Sequence, residues 1–326
     1  MVSRTNPMGS IRRSTPFGQH RPVLLEEVLR ALHPRPGEIV VDCTVGWAGH
    51  AVEMLRAVGP QGRLVGIDLD ADNLPQARER IGAAGLPFTL HHGNFAGVPS
   101  ILAGQGIERV DMLLADLGMS SMQVDDAERG FSYSRPGPLD MRMDRSRGRT
   151  AAELLAAISQ QELADMLRQL GDEPEADRIA AAIVATREEK PLRTTTELSR
   201  LIVDTLHPER QPGKWRVQPT RGQWKTHPAA RTFQVLRILV NRELANLQQL
   251  LRTLPALLRP GGRAAIISFH SGEDRLVKAA FRDGHRLGVY AAISDEPIRA
   301  SEEERAANPR SRSAKLRWAV FSEPEA

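Results

Sequence analysis

The chain has one cysteine, Cys43, in 326 residues, so no disulfide can form within it. A reducing compartment is the natural home for such a sequence. It also lacks any apolar run long enough to span a bilayer. The first nineteen residues hold Arg4, Arg12 and Arg13 but no apolar signal core, and are expected to be a flexible basic arm. No repeat or low-complexity tract is present. Aromatic residues are scarce, whereas alanine, leucine and arginine are plentiful, which favours helices. These absences predict a cytoplasmic protein with no membrane partner. The length suits one large domain or two smaller ones. The net charge of +4 and pI near 9.6 suit a nucleic-acid partner without requiring one.

Strand and helix signals alternate as far as Asp116. Apolar runs at 39–42, 64–68, 88–91 and 110–115 read as strands. Periodic segments at 22–32, 49–58 and 72–84 read as helices. This rhythm predicts a parallel sheet covered on both faces. Between about 150 and 206 only helical periodicity remains. After helices at 231–258, Pro260-Gly261-Gly262 introduces a strong strand at 263–269, with weaker candidates at 289–293 and 316–321. The expected fold class is therefore α/β and Rossmann-like, interrupted by an all-helical insertion. Residues 20–134 and 216–326 would form the main domain, and 135–215 the inserted subdomain on the substrate side.

Chemistry-bearing residues gather where strands end. The first strand runs through Asp42 into VGWAGH, where Gly46 and Gly49 allow close backbone approach to a ligand before a helix begins. The dinucleotide G-x-G-x-x-G pattern is absent, because Ala48 takes one glycine position. A tight turn with no ligand accounts for this loop almost as well. The second strand ends in Asp68, placed to accept ribose hydroxyls; a helix cap is the alternative role. Phe95, after the third strand, is placed to pack on adenine or in the core. The fourth ends in Asp116. In an open α/β sheet such ends converge on one crevice.

A second set lies further on. Asp116 leads into Gly118, Ser120, Ser121 and Gln123. A glycine-rich polar loop covers 128–144. The segment ISFHSGEDR puts His270, Ser271, Glu273, Asp274 and Arg275 at the end of a buried strand. Basic residues and tryptophans interleave between 206 and 231 (Arg210, Lys214, Trp215, Arg216, Arg221, Trp224, Lys225 and Arg231) in a pattern that suits RNA. A solvated loop is the equal alternative. Arg310, Arg312, Lys315 and Arg317 form a basic tail. His91 and His92 match no metal-ligand spacing, so no metal is expected.

With these residues in view, the chain resembles the bacterial small-subunit rRNA cytosine-N4 methyltransferases of the methyltransferase H type. The resemblance rests on D-x-T-x-G-x-x-G-H from Asp42, DLG-x-SS-x-Q from Asp116, and GPLDMRMD from Gly137. It continues through HPA-x-RTFQ-x-LRI-x-VN-x-EL from His227, PGGR-x-x-IISFHS-x-EDR from Pro260 and NPR-x-RSAKLR from Asn308. It runs from His20 to about Arg317. It implies a class I methyltransferase fold with S-adenosyl-L-methionine as cofactor. The implied substrate is a cytidine in the decoding region of 16S rRNA, met within the small ribosomal subunit. By the same resemblance, cofactor contacts fall on Ala48, Gly49, His50, Asp68, Phe95, Asp116 and Gln123, and Gly46 of the glycine loop is expected to join them. Asp116, Ser120 and Ser121 are the catalytic candidates; His270, Ser271, Glu273, Arg275, Arg310, Arg312 and Lys315 are the candidates for RNA. Three positions depart from the family: Ala48 replaces a usual glycine, Val45 a phenylalanine and Gly272 a leucine.

Two other functions fit parts of this pattern. A DNA cytosine-N4 methyltransferase would be expected to carry a proline-proline-aromatic motif after Asp116, where this chain has Leu117-Gly118-Met119-Ser120. A cofactor-binding, RNA-binding assembly factor without turnover would tolerate decay at Asp68, Asp116 and Gln123, all of which are intact.

Overall fold

Three apolar strands end in carboxylates, Asp42, Asp68 and Asp116, and make the carboxyl edge of the sheet acidic. The computed structural model describes residues 22–208 and 227–323. The expected basic arm, His20, and the basic stretch from Arg210 to Lys225 lie outside them. In chain order the elements begin with α1 (Leu25–Leu32), β1 (Ile39–Asp42), α2 (Gly49–Val58), β2 (Arg63–Asp68), α3 (Leu74–Gly82), β3 (Phe88–His92), α4 (Val98–Ala103), β4 (Val110–Asp116) and α5 (Ser121–Asp125). Four helices follow: α6 (Ala151–Ala157), α7 (Gln160–Gly171), α8 (Ala176–Glu189) and α9 (Thr195–Leu206). The chain then runs through α10 (Ala230–Asn241), α11 (Glu243–Leu257), β5 (Leu258–Ser268), α12 (Ser271–Arg286), β6 (Tyr290–Ile293), α13 (Glu302–Ala307) and β7 (Lys315–Phe321).

The seven strands lie in the order β3-β2-β1-β4-β5-β7-β6. The first five pair in parallel. The expectation of a wholly parallel sheet is corrected at β7, which pairs antiparallel with both β5 and β6. Side-chain alternation along the pleat feeds two cores. Val40, Leu64, Met112, Leu114 and Ile267 face α1 to α3, whereas Val41, Val65, Leu113, Ala115 and Ile266 face α4, α11 and α12. Burying each large side chain contributes roughly 1.5–3 kcal/mol.

A third core joins α6 to α9 with Phe131, Leu139 and Met141 on one side and Phe233, Val235 and Leu236 of α10 on the other. The helical packing thus extends to α10 and Phe131, beyond the expected 135–215 span. Caps fix where its helices begin. The side chains of Thr150, Ser159 and Thr194 accept the N–H three residues on. At the other end of α7, Gly171 allows close approach, since a Cβ there would lie 2.8 Å from Val235. Asn241 fastens the end of α10 to the loop at 141–143. Its Nδ2 donates to Met141 O at 2.8 Å, and its Oδ1 accepts from Met143 N at 2.7 Å.

Candidate active site

The sheet order reverses between β1 and β4, and the cleft opens above that point, where helices leave in opposite directions. It has a volume of about 730 Å³. Thr44, Gly46, Asp68, Asp70, Asn73, Asn94, Phe95, Asp116, Gly118, Ser120 and Gln123 line it, together with Met143, Asn241, Glu243, Asn246 and Glu273.

Hydrogen bonds to carboxylates shape the first loop. Asp42 Oδ1 accepts from Thr44 N at 3.0 Å, and Thr44 Oγ1 accepts from Asp116 N at 2.7 Å, which ties the ends of β1 and β4. Asp68 Oδ2 accepts from Gly46 N at 2.6 Å. Its Oδ1 accepts from Asp70 N at 2.8 Å and from Asn73 Nδ2 at 3.3 Å. Burial dominates these acids. It pushes Asp42 up to about 7 and Asp68 up to about 6, and it raises Asp116 as well.

Ala48, Gly49 and His50 sit behind this loop and do not line the cleft. Ala48 begins α2 at φ 63° and ψ 25°, a left-handed conformation that costs an L-residue roughly 1–2 kcal/mol. The departure from glycine is therefore a matter of backbone strain more than of an added methyl. Gly49 packs on Pro22, which would lie 2.5 Å from a Cβ. The buried His50 donates Nε2–H to Val23 O at 2.9 Å, leaving Nδ1 as the acceptor 3.9 Å from Asp116 Oδ2. These three residues support the site from behind.

Ser120 and Gln123 form a reciprocal cap on α5. Ser121 opens that helix. Gln123 Nε2 also donates to Asp70 Oδ2 at 2.8 Å, where Arg129 Nη2 lies 2.7 Å away. Arg129 is 5% exposed and reaches Met143 O at 2.9 Å. This buried network links the turn after β2, the turn after β4 and the loop at 142–143. Gln123 therefore spends its amide within the protein while its side chain lines the cleft.

The segment after β5 divides. His270 and Glu273 turn inward as the cap of α12, while Ser271 and Arg275 are exposed. An inward His270 departs from the expected RNA surface: as cap it must sit over the helix N-terminus. Lys315 and Arg317 likewise bind Asp274, at 2.9 and 2.7 Å, so Lys315 is not a free cation. Arg310 is half-buried and Arg312 exposed. Gly272 lies within the first turn of α12, where a Cβ would stand 3.2 Å from the His270 ring.

Sequence reasoning assigned no site role to Asp70, Asn73, Asn94, Arg129, Met143, Asn241, Glu243 or Asn246. Asn241 and Glu243 stand in the VN-x-EL stretch, so a signal was present without a role attached. Arg237 grips Glu243 with two bonds of 2.9 and 3.0 Å. Ligand atoms of Glu243, His270 and Glu273 approach within 4.8 Å of one another. Glu243 is held by Arg237, however, and the cap bond on His270 Nδ1 leaves the ring proton on Nε2. The group is a hydrogen-bonded charge cluster rather than a ready metal seat.

The cleft fits S-adenosyl-L-methionine in its donor set. A buried carboxylate, Asp68, stands at the end of β2, Asn94 and the Phe95 ring follow β3, and Asp116, Glu243 and Glu273 add further carboxylates to the wall. This fold and this site are those of a class I S-adenosylmethionine-dependent methyltransferase.

The profile of the MraW methylase family matches residues 18–322, and the chain belongs to that family. It is 46% identical over 314 residues to ribosomal RNA small subunit methyltransferase H of Syntrophotalea carbinolica, covering 92% of this chain and 96% of that protein. The same-named protein of Geobacter sp. (strain M21) is 44% identical over 313 residues, covering 91% and 97%. Among solved structures, TrmN from Thermus thermophilus aligns at TM-score 0.41 and 14% identity, over 91% of this chain and 48% of its own. Aeropyrum pernix fibrillarin with bound S-adenosyl-L-methionine aligns at TM-score 0.39 and 11% identity, over 90% of this chain and 74% of its own.

Proposed function

We propose that the protein transfers the methyl group of S-adenosyl-L-methionine to N4 of a cytidine in the decoding region of 16S rRNA, acting on the small ribosomal subunit in the cytoplasm. The observation that carries this reading is the shared cleft. Its cofactor-facing acids, Asp68 and Asp116, open onto a second acidic group, Glu243 and Glu273, beneath the helical layer. The near full-length likeness to proteins named for small-subunit rRNA supports the substrate class.

The cofactor supplies an activated methyl group when bound. Gly46 and Asp68 hold its nucleoside, and Phe95 packs on its base. The cytosine amine is a poor nucleophile because its lone pair is delocalised into the ring. Alignment therefore carries much of the catalysis, and an acceptor on its N–H localises electron density on nitrogen. Asp116 is placed to orient either that amine or the amino group of the cofactor. A paired target must leave its stack before it enters the cleft. Ser271, Arg275 and Arg312 lie on the surface and serve the RNA backbone; Tyr133, stacked on His227 with centroids 4.4 Å apart, belongs to the packing of the helical layer.

The test is incubation with labelled cofactor and small subunits lacking the modification, followed by nucleoside mass analysis. Labelled N4-methylcytidine is expected. Label in another nucleoside, or none, overturns the reading.

A further inference from the structure

The charge cluster at the start of α12 places a buried carboxylate, Glu273, on the wall of the cleft. We propose that Glu273 takes the proton given up by the target's exocyclic amine, and that the Nε2–H of His270 lies against that carboxylate and aims it. The proposal rests on the functional reading above and deepens it.

The geometry separates the two oxygens of Glu273. Oε2 accepts from Phe269 N at 2.8 Å and from His270 N at 3.3 Å, so it is held by backbone. Oε1 meets no backbone donor among the described residues and lies 3.2 Å from His270 Nε2. His270 Nδ1 accepts from Glu273 N at 3.4 Å, which places the neutral ring's proton on Nε2. That ring is 7% exposed, and its Nε2–H has no well-directed hydrogen-bond partner among the described residues. Burying such a donor is costly unless a negative charge stands beside it, and Glu273 supplies that charge. Yet Glu273 still lines the cleft that Asp116 lines.

The neighbouring acids are otherwise committed. Glu243, on α11, has both oxygens in the guanidinium fork of Arg237 from α10. Asp116, at the end of β4, accepts from Gly118 N at 3.3 Å and faces His50. Among the described residues, Arg237, Glu243, Asp116 and His270 are charged or titratable groups that act on Glu273, or it on them. One cation among three carboxylates leaves an anionic cleft, which suits a step that generates positive charge on nitrogen.

The step balances. The amine nitrogen forms a bond to the methyl carbon as the sulfur–carbon bond breaks, and that electron pair remains on sulfur. The N–H pair returns to nitrogen, and the proton moves to Glu273 Oε1. A sulfonium, an amine and a carboxylate become a thioether, a methylamine and a carboxylic acid. The acceptor also discriminates: cytosine presents an amine to Glu273, whereas uracil presents a carbonyl, which the carboxylate repels.

Two conservative variants of the full chain test the assignment. Glu273→Gln keeps an acceptor for the backbone N–H groups and preserves the capping box while removing the base. His270→Asn keeps an oxygen where Nδ1 accepts and removes Nε2–H. Single-turnover methylation of unmodified small subunits is followed across a pH series by nucleoside mass analysis. Affinity for S-adenosylhomocysteine and the melting temperature are measured alongside. Glu273→Gln should slow methyl transfer by roughly 10²–10⁴-fold and abolish the acid limb of the profile. His270→Asn should shift that limb to higher pH and leave the plateau within about threefold. Product affinity should hold in both. A Glu273→Gln rate within about threefold of wild type, or an unmoved limb in His270→Asn, overturns the proposal. A large fall in both melting temperature and product affinity also overturns it, since the pair is then structural. If wild type itself yields no N4-methylcytidine, the functional reading fails first; if it does, that reading stands whatever the variants show.

Discussion

Replacing Asp68 with asparagine would separate what this carboxylate does for the protein from what it does for the cofactor. Three protein donors converge on it: Gly46 N at 2.6 Å, Asp70 N at 2.8 Å and Asn73 Nδ2 at 3.3 Å. An asparagine can present oxygen to one side only. If it keeps Asp70 and Asn73, its NH₂ confronts Gly46 N–H; a short bond is lost and a buried donor is left without an acceptor. That loss is worth about 1–3 kcal/mol. The expected fall in melting temperature is roughly 2–6 °C at the slope of a chain this long. Cofactor affinity should fall by a further 1–3 kcal/mol, on the order of ten- to a hundredfold, because a charge-assisted bond to ribose is lost as well. Thermal melts without ligand and calorimetric titration with S-adenosyl-L-methionine measure the two parts. An unchanged melting temperature would refute the loop-holding role. Unchanged affinity in a destabilised variant would refute the ribose role and leave Asp68 a turn-builder alone.

Three further outcomes follow from the buried charges. Burial raises Asp42 to about 7 and Asp68 to about 6, so between roughly pH 4 and 7 the unfolded chain ionises these groups while the folded protein keeps them protonated; the stability of the free protein should fall as pH rises through that window and level off above it. Binding a cationic cofactor favours the ionised forms, so affinity should climb between about pH 6 and 7 with proton release, and calorimetry in buffers of different ionisation heat would contradict this by showing no net proton change. Arg129→Ala should cost about 3–5 kcal/mol in chemical denaturation, because it strands buried Asp70 without its cation; Arg129→Lys should recover little, since one ammonium cannot reach Asp70 and Met143 O together, and a loss under about 1 kcal/mol would disprove the network's role.

What the sequence revealed and what it hid have physical causes. Buried parallel strands are continuous apolar runs, so β1, β2 and β4 could be found within a residue or so, and their terminal acids marked the crevice; the half-buried β3 was found as well, but ends in His92. Of the adjacent threonines before α9, Thr194 caps the helix, while Thr195 Oγ1 donates to Arg135 O at 2.6 Å. Strand direction was not legible, because alternation along a strand does not depend on which way it runs. Nor was the division of labour among charged residues. Ser271 and Glu273 read alike in the sequence, yet one faces solvent and the other is 2% exposed, because the first turn of α12 sends them to opposite sides. The partners of Asn241 and Arg129 lie 100 and 14 residues away, and no local pattern records such contacts.

The antiparallel β7 brings the basic tail to the carboxyl edge of the sheet. Lys315 pairs with Ser268, the last residue of β5, so β7 begins at the carboxyl edge of the sheet and runs down from it. The segment before it must therefore lie along the rim of the cleft. There it is fastened at several points. Glu304 Oε1 accepts from Leu24 N at 2.8 Å, and Lys315 and Arg317 bind Asp274 of α12. Arg310 has its charge opposed by burial and supported by Asp125, beside the turn that follows β4. Two of the tail's four cations, Lys315 and Arg317, thus hold the rim together, Arg310 is half-buried, and Arg312 stands exposed. A tail that looks in sequence like a phosphate-binding strip is mainly a clamp. Its contribution to RNA binding should come from the shape of the rim it holds and from Arg312, not from four independent phosphate contacts.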